Sequence, residues 1–465
     1  MNRKKINGAP MIPFALLACR IGESELRVTE LAAEGFTVRC AGELPPCEEI
    51  MLSFYHSGAG TYRRVRLREY TIEAGEETHF FREYLVLTKQ EDYRQETGRL
   101  FREYQNYISL KMTGDDGYLS RELVGYPWER EEEHFRTFEE QKRVWMREAC
   151  EGAAGQKFPD GLALAVCLDS AKWREAYLRL DGEEFAAAYW AANHLSGHPI
   201  AGHPVDRIYV GNQFCSHLFP EEEELFAVLE KARAQGHGVT LMLPAAQERQ
   251  MQERVRLLEM AAEWCEKRGI RMEAVVNDWG TAWLLRDRHS VLEPVLGILL
   301  NRRRKDVRSP YKIGLAGREA YPREGYGLGQ QGGFQELSET GLNSAFYRTY
   351  LRETFGIARY EMEACGYLQK IPEGRHSLHF PFYQTNTSAY CPLYAACHEG
   401  SRGRQRPVFA CPEYCRTHAF LYPSHLGMAG RYNSLFGYDR DILRSLRILG
   451  EYARAGVDRI VIGML

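Results

Sequence analysis

The chain has 465 residues, of which 44% are hydrophobic and 26% charged, and its formal net charge is −3. These values are typical of a soluble globular protein of two or three domains, and they exclude a general electrostatic attraction to nucleic acid or membranes. The basic start MNRKK precedes an apolar run that Arg20 soon interrupts, which is not typical of a secretory signal. No apolar run approaches the roughly 18 residues of a membrane span. We therefore predict a cytoplasmic protein, in which thiols stay reduced.

The chain up to about residue 90 alternates apolar and polar residues in short runs, which glycine and turn residues separate. This spacing predicts a small β-barrel or sandwich. The run VTELAAEGFTVRC, residues 28–40, resembles the strand–turn–strand of a PilZ domain. The arginine pair and D/N-x-S-x-x-G loop of PilZ domains are missing, so the resemblance implies the fold without cyclic-dinucleotide binding. We expect a PilZ-like β domain over residues 1–90, which could offer a surface to a protein partner.

Residues 91–155 are highly charged and fit helical spacing, which predicts a helical connector between two domains. From residue 156 to 465, strand-like runs alternate with helical ones. About eight such strands favour a degenerate (β/α)8 barrel of the TIM type over a doubly wound open sheet. In such a barrel the chemistry lies at the C-terminal ends of the strands.

Five cysteines stand out by their spacing. Cys391 and Cys397 lie in YCPLYAAC, Cys411 and Cys415 in ACPEYC, and Cys215 follows RIYVG, which we interpret as the first barrel strand. The predicted topology would bring all five to one barrel face, and thiols gathered in the cytosol favour a metal or an iron–sulfur cluster over disulfides. The spacing C-x5-C-x13-C-x3-C is neither that of a zinc finger nor that of a ferredoxin. The spacing alone does not name the ligand, so a structural zinc site and unliganded packing thiols are the alternatives to a cluster.

At these residues the chain resembles peptidase family U32, the putative collagenases, which includes the oxygen-independent hydroxylation proteins of ubiquinone biosynthesis and of RNA. The matching segments are VGNQFCSH, LYAAC and CPEYC, within residues 205–465. The resemblance implies a [4Fe–4S] cluster held by Cys215, Cys397, Cys411 and Cys415, with Cys391 as an alternative ligand. It also implies an oxygen-independent hydroxylase that uses a small carboxylated donor such as prephenate, with RNA, a quinone or a protein as the acceptor.

Four further residues are candidates for catalysis. Asn277 ends a strand-like run, where it could hydrogen-bond a substrate or serve as an ordinary turn residue. Arg302 follows another such run, and its fork of donors suits a carboxylate, although the segment also fits a solvated charged loop. Arg359 and Glu361 alternate on one strand, so they share a face that either orients substrate or fills a polar barrel layer. Under the U32 resemblance, Arg302, Arg303 or Arg359 would clamp the donor carboxylate.

No G-x-S-x-G elbow, H-E-x-x-H motif or P-loop occurs in the sequence. The peptidase activity that the family name implies therefore has no mechanism visible at this level. It is kept as one alternative to the hydroxylase. The other is a non-catalytic scaffold whose β domain senses a ligand.

Overall fold

The computed structural model describes residues 6–10, 16–22, 24–40, 43–44, 49–56, 61–77, 81–112, 132–288, 290–301, 339–366, 369–400, 404–421 and 427–465. These residues divide into two compact units, one up to Met112 and the other from Glu132 onward.

The first unit is an antiparallel β domain. Its strands are β1 (Ala9–Pro10), β2 (Leu17–Ile21), β3 (Ser24–Ala32), β4 (Gly35–Cys40), β5 (Ile50–His56), β6 (Thr61–Leu67), β7 (Tyr70–Glu77) and β8 (Arg82–Thr88). They pair in the order β6-β5-β2-β3-β4-β8-β7, with β1 beside β3. Alternate side chains of these strands enter one apolar core, as the period-two pattern requires. The predicted β domain is confirmed, while its likeness to PilZ domains stays a prediction.

Helix α1 (Glu91–Met112) completes this core. Tyr93 and Leu100 on the helix are buried against the strands. The Tyr93 hydroxyl lies 2.6 Å from the carbonyl oxygen of Ala32 and 2.7 Å from that of Gly35. It therefore supplies a hydrogen-bond donor to the two buried carbonyls of the β3–β4 turn. The first half of the stretch interpreted as a connector is thus part of the β domain's packing.

The change Tyr93→Phe is expected to destabilise the first unit by about 1–3 kcal/mol, because it leaves buried carbonyls without their donor. Hydrogen exchange of the amides of residues 24–40 in increasing urea would measure the free energy of unfolding of the first unit separately from that of the barrel. Tyr84→Phe is the matched control, since the Tyr84 hydroxyl is only half-buried and is bonded by the Leu44 amide at 3.2 Å and by the Arg82 side chain. Equal losses in the two variants would contradict this role of Tyr93.

The second unit is a closed parallel barrel with a small antiparallel extension. Its strands are β9 (Ala163–Leu168), β10 (Arg207–Gly211), β11 (Gly238–Met242), β12 (Met272–Val276), β13 (Leu292–Leu296), β14 (Arg359–Glu363), β15 (Arg375–Thr387), β16 (Phe420–Leu421), β17 (Met428–Arg431), β18 (Ser434–Tyr438) and β19 (Val457–Gly463). Strands β9 to β15 pair in chain order and in parallel, and β19 closes the barrel between β15 and β9. The predicted TIM-like barrel is therefore confirmed. RIYVG forms its second strand rather than its first, because ALAVCL (β9) precedes it in the ring.

The helices of this unit are α2 (Glu132–Ala153), α3 (Ala171–Arg179), α4 (Gly182–Ala192), α5 (Glu222–Ala234), α6 (Met251–Glu266), α7 (Trp279–Arg288), α8 (Ala345–Phe355), α9 (Pro392–Glu399) and α10 (Leu446–Arg454). The second predicted connector helix, α2, packs here, with the Trp145 ring stacked 4.5 Å from that of Tyr438. None of the helices in the described ranges combines the length and apolar character that a bilayer crossing needs.

The long strand β15 places the loops that matter for function. Its first half lies in the barrel between β14 and β19, and its second half runs on to pair antiparallel with β18. Strands β16, β17 and β18 thus form a small sheet beyond the barrel strands. The chain between β15 and β19 carries Cys391, Cys411 and Cys415.

Candidate functional site

A pocket of about 640 Å3 opens at the C-terminal ends of the barrel strands. We call it the mouth pocket. It is lined by Phe214, Cys215, Ser216, His217, Ala245, Ala246, Gln247, Arg249, Asn277, Ile298, Leu299, Leu300, Gln384, Thr385, Asn386, Thr387, Ser388, Ala389, Tyr390, Cys391, Val408 and Asn433. Most of these residues come from the loops after β10 to β13 and from the extension of β15, which is where a barrel of this type holds its active site.

A second, smaller cavity, the thiol cavity, is lined by Cys215, Cys391, Cys411 and Cys415. One thiol comes from the loop after β10, and three come from the chain between β15 and β19. Both Cys215 and Cys391 also line the mouth pocket, so the two spaces adjoin. Four thiols from two distant parts of the chain therefore surround one space next to a pocket of substrate size.

Backbone donors approach two of these sulfur atoms. Cys391 is the N-cap of α9, and its Sγ accepts a bond from the Tyr394 amide at 3.3 Å. The Sγ of Cys411 accepts one from the Glu413 amide at 3.4 Å. Such N–H groups favour thiolates and tune the potential of a cluster that the thiolates hold.

Burial raises the pKa of Cys215, Cys391 and Cys415 to about 12, and it also raises the pKa of Cys411. With nothing bound, these thiols are protonated at neutral pH, and a soft metal would have to displace the protons. Within the described ranges, no group of His, Cys, Asp or Glu side chains is already arranged to hold a metal ion. The thiol cavity has about 20 Å3, room for one water-sized group, so the residues that line it would have to move apart to admit a cluster. The donor set of four thiols fits the chemistry of a cluster.

Cys397, which the U32 resemblance implies as a ligand, lies near the end of α9 and lines neither space. Cys391, the alternative ligand, lines both. Since Cys391 precedes the helix and Cys397 lies six residues further on, the two side chains leave α9 in different directions. Cys391 is therefore better placed than Cys397 to share a metal with the other three thiols.

Two asparagines fix the loop that carries Cys215. The buried Asn212 accepts bonds from the amides of Phe214 and Cys215, both at 2.9 Å, and donates to the Asp169 carbonyl at 3.0 Å. Asn433, in the β17–β18 turn, donates to the Phe214 carbonyl at 2.8 Å. The loop after β10 is therefore held from the barrel on one side and from the small sheet on the other.

Tyr432 connects the thiol cavity with a third space. This residue is buried and has a left-handed backbone (φ 57°), which is strained for a side chain of this size. Its carbonyl accepts a bond from Cys391 Sγ at 3.1 Å, and its phenol is hydrogen-bonded to the Asp169 carboxyl. The third space, of about 50 Å3, is lined by Asp169 and Glu363 among others, and burial raises the pKa of Asp169 to about 6.

Among the predicted catalytic residues, Asn277 lines the mouth pocket. It is 3% exposed, and its amide group donates to the Leu243 carbonyl at 2.9 Å and accepts from the Leu299 amide at 3.1 Å. The side chain of Asn277 thus ties the loops after β11 and β13 together. Through these two bonds Asn277 fixes the wall of the mouth pocket.

Arg359 and Glu361 lie in the barrel interior and do not line the mouth pocket. Both terminal nitrogens of Arg359 bond to Asp458, at 2.7 and 2.6 Å. Glu361 lies 2.5 Å from His379 Nε2 and accepts a bond from the Tyr209 hydroxyl at 3.1 Å. These contacts agree with the polar barrel layer, the second of the two interpretations of this strand. Arg302, the other candidate for a carboxylate clamp, lies outside the described residues, as does Arg303.

Sequence reasoning missed Asp169, Asn212, Arg249 and Tyr432. Asp169 directly follows the strand ALAVCL, and Asn212 directly follows RIYVG, so both stand where barrel chemistry occurs. That position was the available signal for these two residues. Arg249 lies in a short 3-10 helix and Tyr432 in a turn between two strands, and no local pattern identifies them.

No family model matches the chain, and no curated protein matches it. A solved structure named as the U32 peptidase Mk0906 is similar over 65% of this chain and 92% of its own, with 12% identity and a TM-score of 0.26.

Proposed function

We propose that this protein is an iron–sulfur enzyme whose cluster is held by Cys215, Cys391, Cys411 and Cys415. The observation that supports this proposal is the shared wall of the two spaces, since thiols of the thiol cavity also line the mouth pocket. A bound [4Fe–4S] cluster supplies electron-transfer chemistry or an iron atom that can bind substrate oxygen. Because the cytoplasm keeps thiols reduced, we place this function there.

The reaction that we propose is an oxygen-independent hydroxylation with a small carboxylated donor, as the U32 resemblance implies. The amide side chains of Asn277, Gln384, Asn386 and Asn433 line the mouth pocket and can orient polar groups of a substrate. RNA, a quinone and a protein remain the candidate acceptors. The first unit, with the β domain, remains a candidate surface for a protein partner.

A spectroscopic titration tests this function. Prephenate added to the reduced, iron-loaded protein is expected to change its electron paramagnetic resonance spectrum in a saturable way. The change Ala245→Trp narrows the mouth pocket and should weaken the effect at least tenfold, while Ala154→Trp, at an exposed position that does not line the pocket, should leave it intact. A spectrum indifferent to prephenate, together with no heat of binding, would count against a carboxylated donor.

Peptide hydrolysis, for which the resembled family is named, is the second candidate. Cleavage of casein or gelatin by the purified protein, lost in Ala245→Trp and kept in Ala154→Trp, would favour it over the hydroxylase. The scaffold hypothesis predicts instead that neither assay responds to a change in the mouth pocket.

A further inference from the structure

The mouth pocket is lined by basic but not by acidic side chains in the described ranges. Of the residues that line it in the described ranges, none is Asp or Glu, and the basic side chains are Arg249 and His217. The rest of its polar lining consists mainly of amides and hydroxyls. A pocket with this lining attracts anions and stabilises them by hydrogen bonds.

Arg249 and His217 share one backbone partner. Arg249, in the short 3-10 helix Glu248–Gln250, donates to the Val408 carbonyl at 3.3 Å, and His217 Nε2 lies 3.1 Å from the same oxygen. The guanidinium of Arg249 also lies 4.8 Å from the ring centre of Phe409, which is 81% exposed. The Arg249 and His217 side chains thus hold the segment that leads, three residues later, to Cys411.

Arg249 has the capacity to bind a ligand as well. A guanidinium carries five N–H donors, and a carboxylate takes two of them in a fork. The bond to Val408 uses one donor of an exposed arginine. Arg359, by contrast, already gives both terminal nitrogens to Asp458.

Building on the proposed function, we infer that the mouth pocket recognises the carboxylate of its substrate through Arg249, with His217 beside it. A carboxylate held in a fork by Arg249 uses the Nη2 nitrogen that also donates to the Val408 carbonyl, so the two acceptors share one nitrogen. Binding is therefore coupled to the position of the segment that carries Cys411. Arg249 acts as a specificity-determining residue, and Val408 transmits the binding event to the thiol cavity.

Calorimetry with phenylacetate and its neutral isostere phenylacetamide tests recognition in the full-length chain, both iron-loaded and metal-free. Phenylacetate is expected to bind at least tenfold more tightly than phenylacetamide, and Arg249→Gln should remove this preference. Arg256→Gln is the matched control, since Arg256 is exposed, pairs with Glu222 at 3.0 Å and does not line the pocket. Equal binding of the two probes, or an unchanged preference in Arg249→Gln with native circular dichroism, would overturn the inference.

The coupling has its own readout. In the metal-free protein, phenylacetate is expected to change the rate at which iodoacetamide alkylates Cys411, measured by peptide mass spectrometry, and Arg249→Gln should abolish the change. A Cys411 rate that does not respond to phenylacetate would overturn the coupling. A protein that holds no iron but still prefers phenylacetate would reject the proposed function alone. A protein that holds iron without this preference would reject the recognition by Arg249 alone.

Discussion

The change Cys391→Ala is expected to yield a colourless protein after anaerobic purification, whereas Cys397→Ala keeps a brown one. Both cysteines belong to the same short segment, but Cys391 lines the thiol cavity and Cys397 does not. Removing one of four ligands leaves a buried iron without its thiolate, so cluster content should fall below about a tenth of the wild-type value, as expected for an all-cysteine site. Absorbance near 400 nm and iron analysis measure the loss.

The other three positions extend this comparison. Cys215→Ala, Cys411→Ala and Cys415→Ala should match Cys391→Ala, since their thiols line the same cavity. A buried thiol remote from this cavity, Cys265 on α6, provides a further control, because Cys265→Ala should leave the iron content unchanged. If Cys397→Ala lost the cluster and Cys391→Ala kept it, the ligand set implied by the U32 resemblance would be right, and the set proposed from the cavity would be wrong.

The change Arg459→Met is expected to destabilise the barrel by about 3–5 kcal/mol, because it leaves a buried carboxylate without its main partner. Arg459 bonds Glu273 through two nitrogens, at 2.6 and 3.0 Å, and the Tyr209 hydroxyl at 3.0 Å. Hydrogen exchange of residues 457–463 in increasing urea measures the loss. Arg271→Met is the control, since Arg271 pairs with Glu293 at the surface at 3.2 Å, a contact worth about 1 kcal/mol or less. Losses of similar size in the two variants would contradict a stabilising ion pair in the barrel interior.

The same ion pair predicts an acid-labile part of the barrel's stability. Burial by itself would raise the pKa of Glu273, but the hydrogen bonds and charge of Arg459, with help from Arg207 and Thr240, outweigh it and lower the pKa to about 2. Because the folded pKa lies below the ordinary value of 4.5, this stability is complete above about pH 4.5 and is lost as the pH falls toward 2. In Arg459→Met the loss between these pH values should be smaller than in the wild type.

The barrel could be predicted because its signal is repeated. Buried runs such as RIYVG and MEAVV alternate with helical runs that end at glycines, and each repeat independently indicates a strand–helix unit. The choice of the first strand failed because ALAVCL follows a charged helical stretch and looks like a link between domains. Only the closing pair between β9 and β19, at opposite ends of the unit, assigns it to the ring.

The site was less predictable, since it depends on contacts between distant loops. Spacing indicated Cys411 and Cys415, and the position after a strand indicated Cys215. Neither signal could show whether Cys391 or Cys397 faces them, because that depends on where α9 begins. The interior layer of Arg359 and Glu361 followed from strand alternation. Their partners Asp458 and His379 lie elsewhere in the chain. The sequence alone therefore could not distinguish ion pairing inside the barrel from substrate binding.

Iron and acid-labile sulfide analysis of the wild-type protein, purified without oxygen, tests the central claim most directly. We predict about four iron and four sulfide per chain, with absorbance near 400 nm that dithionite bleaches. About one zinc and no sulfide would assign the same thiols to a structural site. A colourless protein that neither holds metal nor takes up iron and sulfide on reconstitution would contradict the account and leave the four cysteines as packing residues.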